Sequence, residues 1–229
     1  MKNITVNQLL REKPAYEQNN VGTASRGNIR KDGRFYHVIT TSWRKRWLFD
    51  SELALYRKDL LNEECIKHGV TILFSVTMPT HTHEVFISPD WETLSEVIRI
   101  VNSSVSKYVR RHLTERMKNR KKVLAEDPAY VMITDIVQLF IAGKYIYKNY
   151  AYLKEENKPV PDSCFWMFEK NYFTEPYNGK IYKQLFGMEP KELLDFYANH
   201  SDAETMQFCK NAFADWTEAD NKRLFISKS

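Results

Sequence analysis

Thr77-Met78-Pro79-Thr80-His81-Thr82-His83-Glu84-Val85-Phe86 joins two stretches that read as strands, Val70 to Val76 and Glu84 to Ser88. The Met78-Pro79 turn between them presents two of the six histidines, one residue apart. Side chains alternate faces along a strand, so in extended backbone His81 and His83 point one way and Thr82 the other. Two imidazoles on one face can share a metal ion. A pair so spaced also arises by chance, so it needs a second motif beside it before it carries chemistry.

Phe35 to Trp43 is rich in aromatic and β-branched residues and reads as a first strand. Asp50-Ser51-Glu52 starts a helix through about His68, with Leu53, Tyr56, Leu60, Leu61, Glu64 and Cys65 on one face and Gly69 as its stop. After Pro89-Asp90 comes a second helix, whose apolar positions Leu94, Val97, Ile98, Val101, Val105, Tyr108, Val109 and His112 recur at intervals of three and four. Tyr130 to Thr134 is a fourth strand, and Asp135 caps a helix reaching about Glu155. The order strand, helix, strand, strand, helix, strand is the split βαβ order of an α+β, ferredoxin-like antiparallel sheet. It sets the first and third strands at the centre, puts both helices on one face and leaves the other face to the added helix from Asp135.

The remainder divides into an N-terminal arm (1–34), rich in turn formers, and a C-terminal helical appendage (159–229) following the 35–158 domain. In the appendage, Phe165 to Lys170, Lys180 to Phe186, Pro190 to Asn199 and Ala203 to Trp216 read as helices. At 229 residues and 27.2 kDa, with 43% hydrophobic and 28% charged residues, the chain can bury a full core. It lacks an apolar run of about 18 residues, and Met1 to Thr5 has no signal-peptide core. A cytoplasmic protein with no membrane partner is expected. Cys65, Cys164 and Cys209 are widely spaced and odd in number, which speaks for buried thiols over disulfides or a thiolate metal site.

The net charge of +5 is unevenly spread. Between positions 107 and 122, Lys107, Arg110, Arg111, Arg116, Lys118, Arg120, Lys121 and Lys122 face a single acid, Glu115, and Arg44-Lys45-Arg46 forms a second cluster. Such clusters suit a polyanion, since each neutralised phosphate releases condensed counterions. A solvated helix end and loop would carry the same charges.

The second motif is Lys144-Tyr145-Ile146-Tyr147-Lys148-Asn149-Tyr150, on the helix after the fourth strand. Tyr145 and Asn149, four apart, lie one above the other on one helix face. With Tyr36-His37-Val38 and Thr40 in the first strand, Val76 to His83 at the histidine pair and Leu94 to His112 in the next helix, the chain resembles the HUH single-tyrosine transposases, most closely the REP-associated tyrosine transposase branch. The resemblance covers about 35 to 154 and implies the ferredoxin-like fold reached above. It also implies that His81, His83 and Asn149 hold a divalent metal, Mg²⁺ or Mn²⁺, and that Tyr145 is the nucleophile. The expected activity is cleavage and rejoining of single-stranded, hairpin-containing DNA through a 5′-phosphotyrosine, by a monomer or homodimer, with the two basic clusters tracking the DNA backbone. Tyr147, Tyr150 and Tyr152 are competitors for the nucleophile, and His37 is expected to pack or hydrogen-bond near the site without ligating. Three positions depart from the family pattern: Thr82 and Glu84, where apolar residues are usual, and Tyr150, where the branch has proline. Thr82 and Glu84 face away from the histidines, so they bear on the packing beneath the site. The alternatives are an inactive DNA-binding protein of the same fold, another HUH nuclease (replication initiator or relaxase), and a metal-dependent phosphoesterase with a water nucleophile.

Overall fold

The computed structural model describes residues 33–45, 48–112, 122–124, 127–156 and 163–226. Its elements are β1 (Phe35–Thr41), α1 (Ser51–His68), β2 (Thr71–Met78), β3 (His81–Ile87), α2 (Trp91–His112), β4 (Ala129–Ile133), α3 (Ile136–Glu155), α4 (Cys164–Lys170), α5 (Lys180–Phe186), α6 (Pro190–Asn199), α7 (Asp202–Ala212) and α8 (Glu218–Phe225). All neighbouring strands pair antiparallel, in the order β2-β3-β1-β4, which puts β1 and β3 at the centre as the element order requires.

Local chemistry sets the helix ends. Asp50 accepts the Leu53 N–H at 2.9 Å and Asp135 accepts the Gln138 N–H at 2.8 Å, each filling an otherwise orphaned donor of a first turn. Gly69 stops α1 at φ 67°, a left-handed conformation that glycine adopts without steric cost.

α1 and α2 pack on one face of the sheet, where Tyr36 meets Trp91 and Glu84 meets Arg57. α3 crosses the other face over β2 and β3. It can lie close because residue 143 is glycine: a Cβ there would stand 2.6 Å from the Phe74 ring and 2.5 Å from the Tyr197 hydroxyl. The first half of α3 is buried almost all round, since the appendage covers its outer side.

The appendage shares its apolar core with the sheet. It also closes the β2 edge, where unpaired backbone groups would otherwise invite another strand. Ser163 donates to the Ser75 carbonyl at 3.0 Å, Tyr182 donates to the Leu73 carbonyl, and the Ile72 N–H reaches the Pro176 carbonyl at 3.3 Å. On α3, the buried Lys144 ammonium donates to the Tyr197 carbonyl and, at 2.7 Å, to that of His200, where a cation suits the C-terminal end of α6. Lys148 pairs with Asp202 at 2.6 Å.

Three sequence expectations need adjustment. His81 and His83 lie inside β3, and the turn shrinks to Pro79-Thr80, because β3 starts pairing with β1 and β2 at His81 itself. The helix expected over Ala203 to Trp216 ends at Ala212, and a further helix, α8, capped by Thr217 and Asp220, follows it. The buried face of α1 includes Arg57 and excludes Tyr56 and Leu60, which are only partly buried. The three cysteines are buried and form no disulfide with one another. No described helix is long and apolar enough to cross a membrane.

Candidate active site

Strand register assembles the floor of the site. Thr41 opposes His81, Ile39 opposes His83 and His37 opposes Val85, so His37, His81 and His83 share the sheet face that α3 crosses. His83 is 2% exposed and His37 1%, while His81 is half-buried at the strand's start. The rings form a chain: His81 to His83 is 4.8 Å between centroids, and His37 to His83 is 5.2 Å.

Both histidines of the pair have one ring nitrogen engaged. His81 Nδ1 lies 2.8 Å from the Thr80 hydroxyl and His83 Nδ1 lies 3.1 Å from His37 Nε2. When the engaged Nδ1 carries the proton, Nε2 holds the lone pair a metal needs, the usual arrangement of a ligating imidazole. His83 Nε2 is buried and has no hydrogen-bond partner among the described residues. An orphaned acceptor of that kind is costly unless something binds it.

Electrostatics keep these rings neutral. Burial lowers the His37 pKa to about 4. It lowers His81 as well, helped by the positive charge of Lys45, and takes His83 well below the ordinary value, helped by His37 and His81. A neutral imidazole is the metal-binding form.

α3 supplies the other side. The Tyr145 ring stands edge-on to His83 at 5.1 Å and lies 6.3 Å from His37. Its competitors are elsewhere. Tyr150 is 2% exposed, packs on Phe165, and burial with a hydrogen bond to Glu169 raises its pKa. Tyr147 packs on Phe165 and Tyr197, and Tyr152 is 50% exposed. Asn149, one turn beyond Tyr145, donates its amide N–H to the Tyr145 carbonyl at 3.1 Å, which leaves its side-chain oxygen as a donor atom to a cation. Among the described residues no three His, Cys, Asp or Glu side chains cluster to hold a metal. Two imidazole nitrogens and an amide oxygen are donor types that suit a divalent cation.

Beneath the histidines, Thr82 and Glu84 face α1 as their alternation predicts. Glu84 accepts from Arg57 Nη1 at 2.5 Å and from the Thr82 hydroxyl at 2.9 Å. The two departures from an apolar pattern thus belong with a third, Arg57, that sequence reasoning missed because an arginine on a helix reads as exposed.

A family model described as IS200-like transposase matches residues 32–149, just over half of the chain. The chain belongs to this transposase family. No curated protein matches it. Among solved structures, a REP-associated tyrosine transposase bound to a REP hairpin is 15% identical, with a TM-score of 0.44, covering 56% of this chain and 72% of the other. A protein assigned as a transposase from Deinococcus radiodurans is 14% identical, with a TM-score of 0.38 and coverages of 56% and 97%.

The basic residues fall in three groups. Arg44 and Lys45 are exposed in the one-turn 3₁₀ helix Trp43–Lys45 that leaves β1, and both adopt left-handed backbone, φ 58° and 49°. Such conformations cost non-glycine residues about 1–3 kcal/mol each. Lys107, Arg110 and Arg111 are exposed on the last turns of α2. These last turns stand at the His81 end of the sheet: Tyr108 donates to Glu52 at the start of α1, and the lead-in to α1 binds the Pro79 carbonyl through Leu48 and Phe49. They belong to the helical layer, though, on the far face from the histidines. Lys122 lies over the Trp43 ring. Arg46, Arg116, Lys118, Arg120 and Lys121, like residues 1–32 of the arm, lie outside the described residues.

Proposed function

We propose that this member of the family is a divalent-metal-dependent, single-stranded DNA transposase and endonuclease that cuts and rejoins strands through a 5′-phosphotyrosine on Tyr145. The observation that carries this reading is the edge-on approach of Tyr145 to His83, made by none of the other tyrosines on α3. His81, His83 and Asn149 would hold Mg²⁺ or Mn²⁺, for which N/O ligands are suitable. When bound, the cation polarises phosphate oxygens and offsets the charge that builds up in the transition state.

The chain's own part is positioning. Holding the Tyr145 oxygen in line with the phosphate turns a bimolecular attack into an effectively unimolecular one. The Tyr145 oxygen attacks phosphorus and its proton leaves to solvent. The bond from phosphorus to the 3′ oxygen breaks, and that oxygen takes up a proton as a free 3′-hydroxyl. The phosphodiester energy stays in the phosphotyrosine, so attack by another 3′-hydroxyl rejoins DNA without a nucleotide cofactor. Arg44, Lys45 and Lys122 flank the His81 end of the site and suit the DNA backbone.

The test is incubation of the full chain with labelled single-stranded hairpin oligonucleotides from beside its gene, with Mn²⁺ or Mg²⁺, followed by a denaturing gel and peptide mapping. A covalent adduct on Tyr145, absent from Tyr145→Phe and from His81→Ala, is the expected result. Cleavage without an adduct would favour a water nucleophile. Binding with neither cleavage nor adduct would favour a DNA-binding protein that keeps the family fold.

A further inference from the structure

Trp43 is set apart from the other large aromatics near the site. It lies two residues past Thr41, the β1 partner of His81, and it does not join the apolar core that takes in Trp91 and Trp216. Its turn is nevertheless tied down on both sides: the Ser42 N–H donates to the Thr80 carbonyl at 2.9 Å, and the Trp43 N–H donates to the Val123 carbonyl at 2.8 Å. The backbone that carries this half-buried ring is thereby anchored next to the residue that precedes His81. Two cations lie against it, Lys122 Nζ at 4.7 Å and Arg44 Cζ at 5.9 Å from the ring centroid. Lys45 is close enough for its charge to act on His81.

A surface cation–π pair would account for Lys122. It does not account for two consecutive non-glycine residues, Arg44 and Lys45, in left-handed backbone directly after the ring. Strain of this kind is retained where the surroundings over-determine it, and it clusters at ligand clamps. A half-buried indole on anchored backbone, with two cations against its ring and a third next to His81, has the chemistry of a stacking surface for an unpaired base.

We propose that the Trp43 indole stacks one unpaired nucleobase beside the scissile phosphate, with Lys45 and Lys122 taking the phosphates on either side; this rests on the single-stranded DNA reading above. Lys122 occupies the ring face in the absence of DNA, and an incoming base replaces it there, releasing the ammonium to a phosphate. Stacking tolerates any base, so the subsite supplies affinity and alignment without sequence preference.

The test compares binding of fluorescein-labelled dT12 with that of a twelve-residue abasic strand carrying the same phosphates, by anisotropy, on the full chain without added metal. The wild type is expected to prefer dT12 by about tenfold. Trp43→Ala should remove most of that preference and leave the salt dependence unchanged, while Trp43→Phe keeps most of it. Lys122→Ala should keep the preference and lower the salt slope by about one. Equal binding of the two strands by the wild type would overturn the stacking platform, as would a Trp43→Ala variant, folded by circular dichroism, whose preference stays within about twofold of wild type. Were those results to come with an intact Tyr145 adduct, the platform alone would fall. If the wild type bound neither strand, the single-stranded DNA reading would fall with it.

Discussion

His37 and His83, on neighbouring central strands, share a hydrogen bond of 3.1 Å between Nε2 of the first and Nδ1 of the second. Both rings are buried and neutral, so one of these nitrogens donates and the other accepts. When His83 donates, its Nε2 is left with a lone pair directed away from His37.

His37 should therefore tune metal binding without touching the metal. We expect His37→Ala to weaken Mn²⁺ binding by about 10–100-fold, as loss of the partner of a ligating histidine commonly does. Isothermal titration with Mn²⁺ reads this directly. An unchanged affinity in a folded His37→Ala variant would show that the hydrogen bond leaves the donor atom unaffected.

The same burial makes stability depend on pH. His37 is neutral in the folded chain down to about pH 4, whereas in the unfolded chain it takes up a proton below about 6.5. Its contribution is thus fully present above pH 6.5 and is lost as the pH falls towards 4, up to about 3 kcal/mol. Urea melts at pH 7.5, 5.5 and 4.5 should show a loss that is smaller in His37→Asn. Parallel losses in the two proteins would contradict the assignment.

Under the site, Arg57 and Glu84 form an ion pair in which each side chain is 2% exposed. Arg57 Nε and Nη2 have no partner among the described residues, so the pair is incompletely compensated. Glu84→Gln leaves a buried guanidinium facing a neutral amide and should cost about 3–5 kcal/mol. The double change Arg57→Met with Glu84→Leu, which restores an apolar layer, should recover most of that loss in a denaturant titration. A double variant as unstable as the single one would mean that the pair contributes net stability.

Gly143 sets how closely α3 approaches the sheet. An alanine there meets Phe74 and Tyr197 inside a packed core, so Gly143→Ala should cost about 1–3 kcal/mol despite alanine's better helix propensity. Because the shift also moves Tyr145 relative to His83, adduct formation should fall more steeply than folded protein measured by circular dichroism. Equal losses in the two readouts would assign Gly143 to stability alone.

Much of the molecule was legible in order along the chain. The alternation of His81, Thr82 and His83, the i,i+4 relation of Tyr145 and Asn149, the caps at Asp50, Gly69 and Asp135 and the split βαβ order all depend on residues near one another in sequence, where backbone periodicity governs the outcome. The end of α7 and the existence of α8 were not legible, because short, polar helices are decided by what they dock against.

Backbone periodicity sets which side chains can meet on one strand face and on one helix face. Packing across the sheet selects which of them do meet. Tyr145, and not Tyr147 or Tyr150, reaches the histidines because Gly143, Phe74 and the appendage set the rotation and depth of α3 on the sheet. His37 reaches His83 because strand register brings together residues 46 apart in the chain, and Glu84 is tolerated inside because α1 carries Arg57 to it across 27 residues. Pairings at that separation rest on packing and on the desolvation of charge, and neither leaves a periodic trace in the sequence.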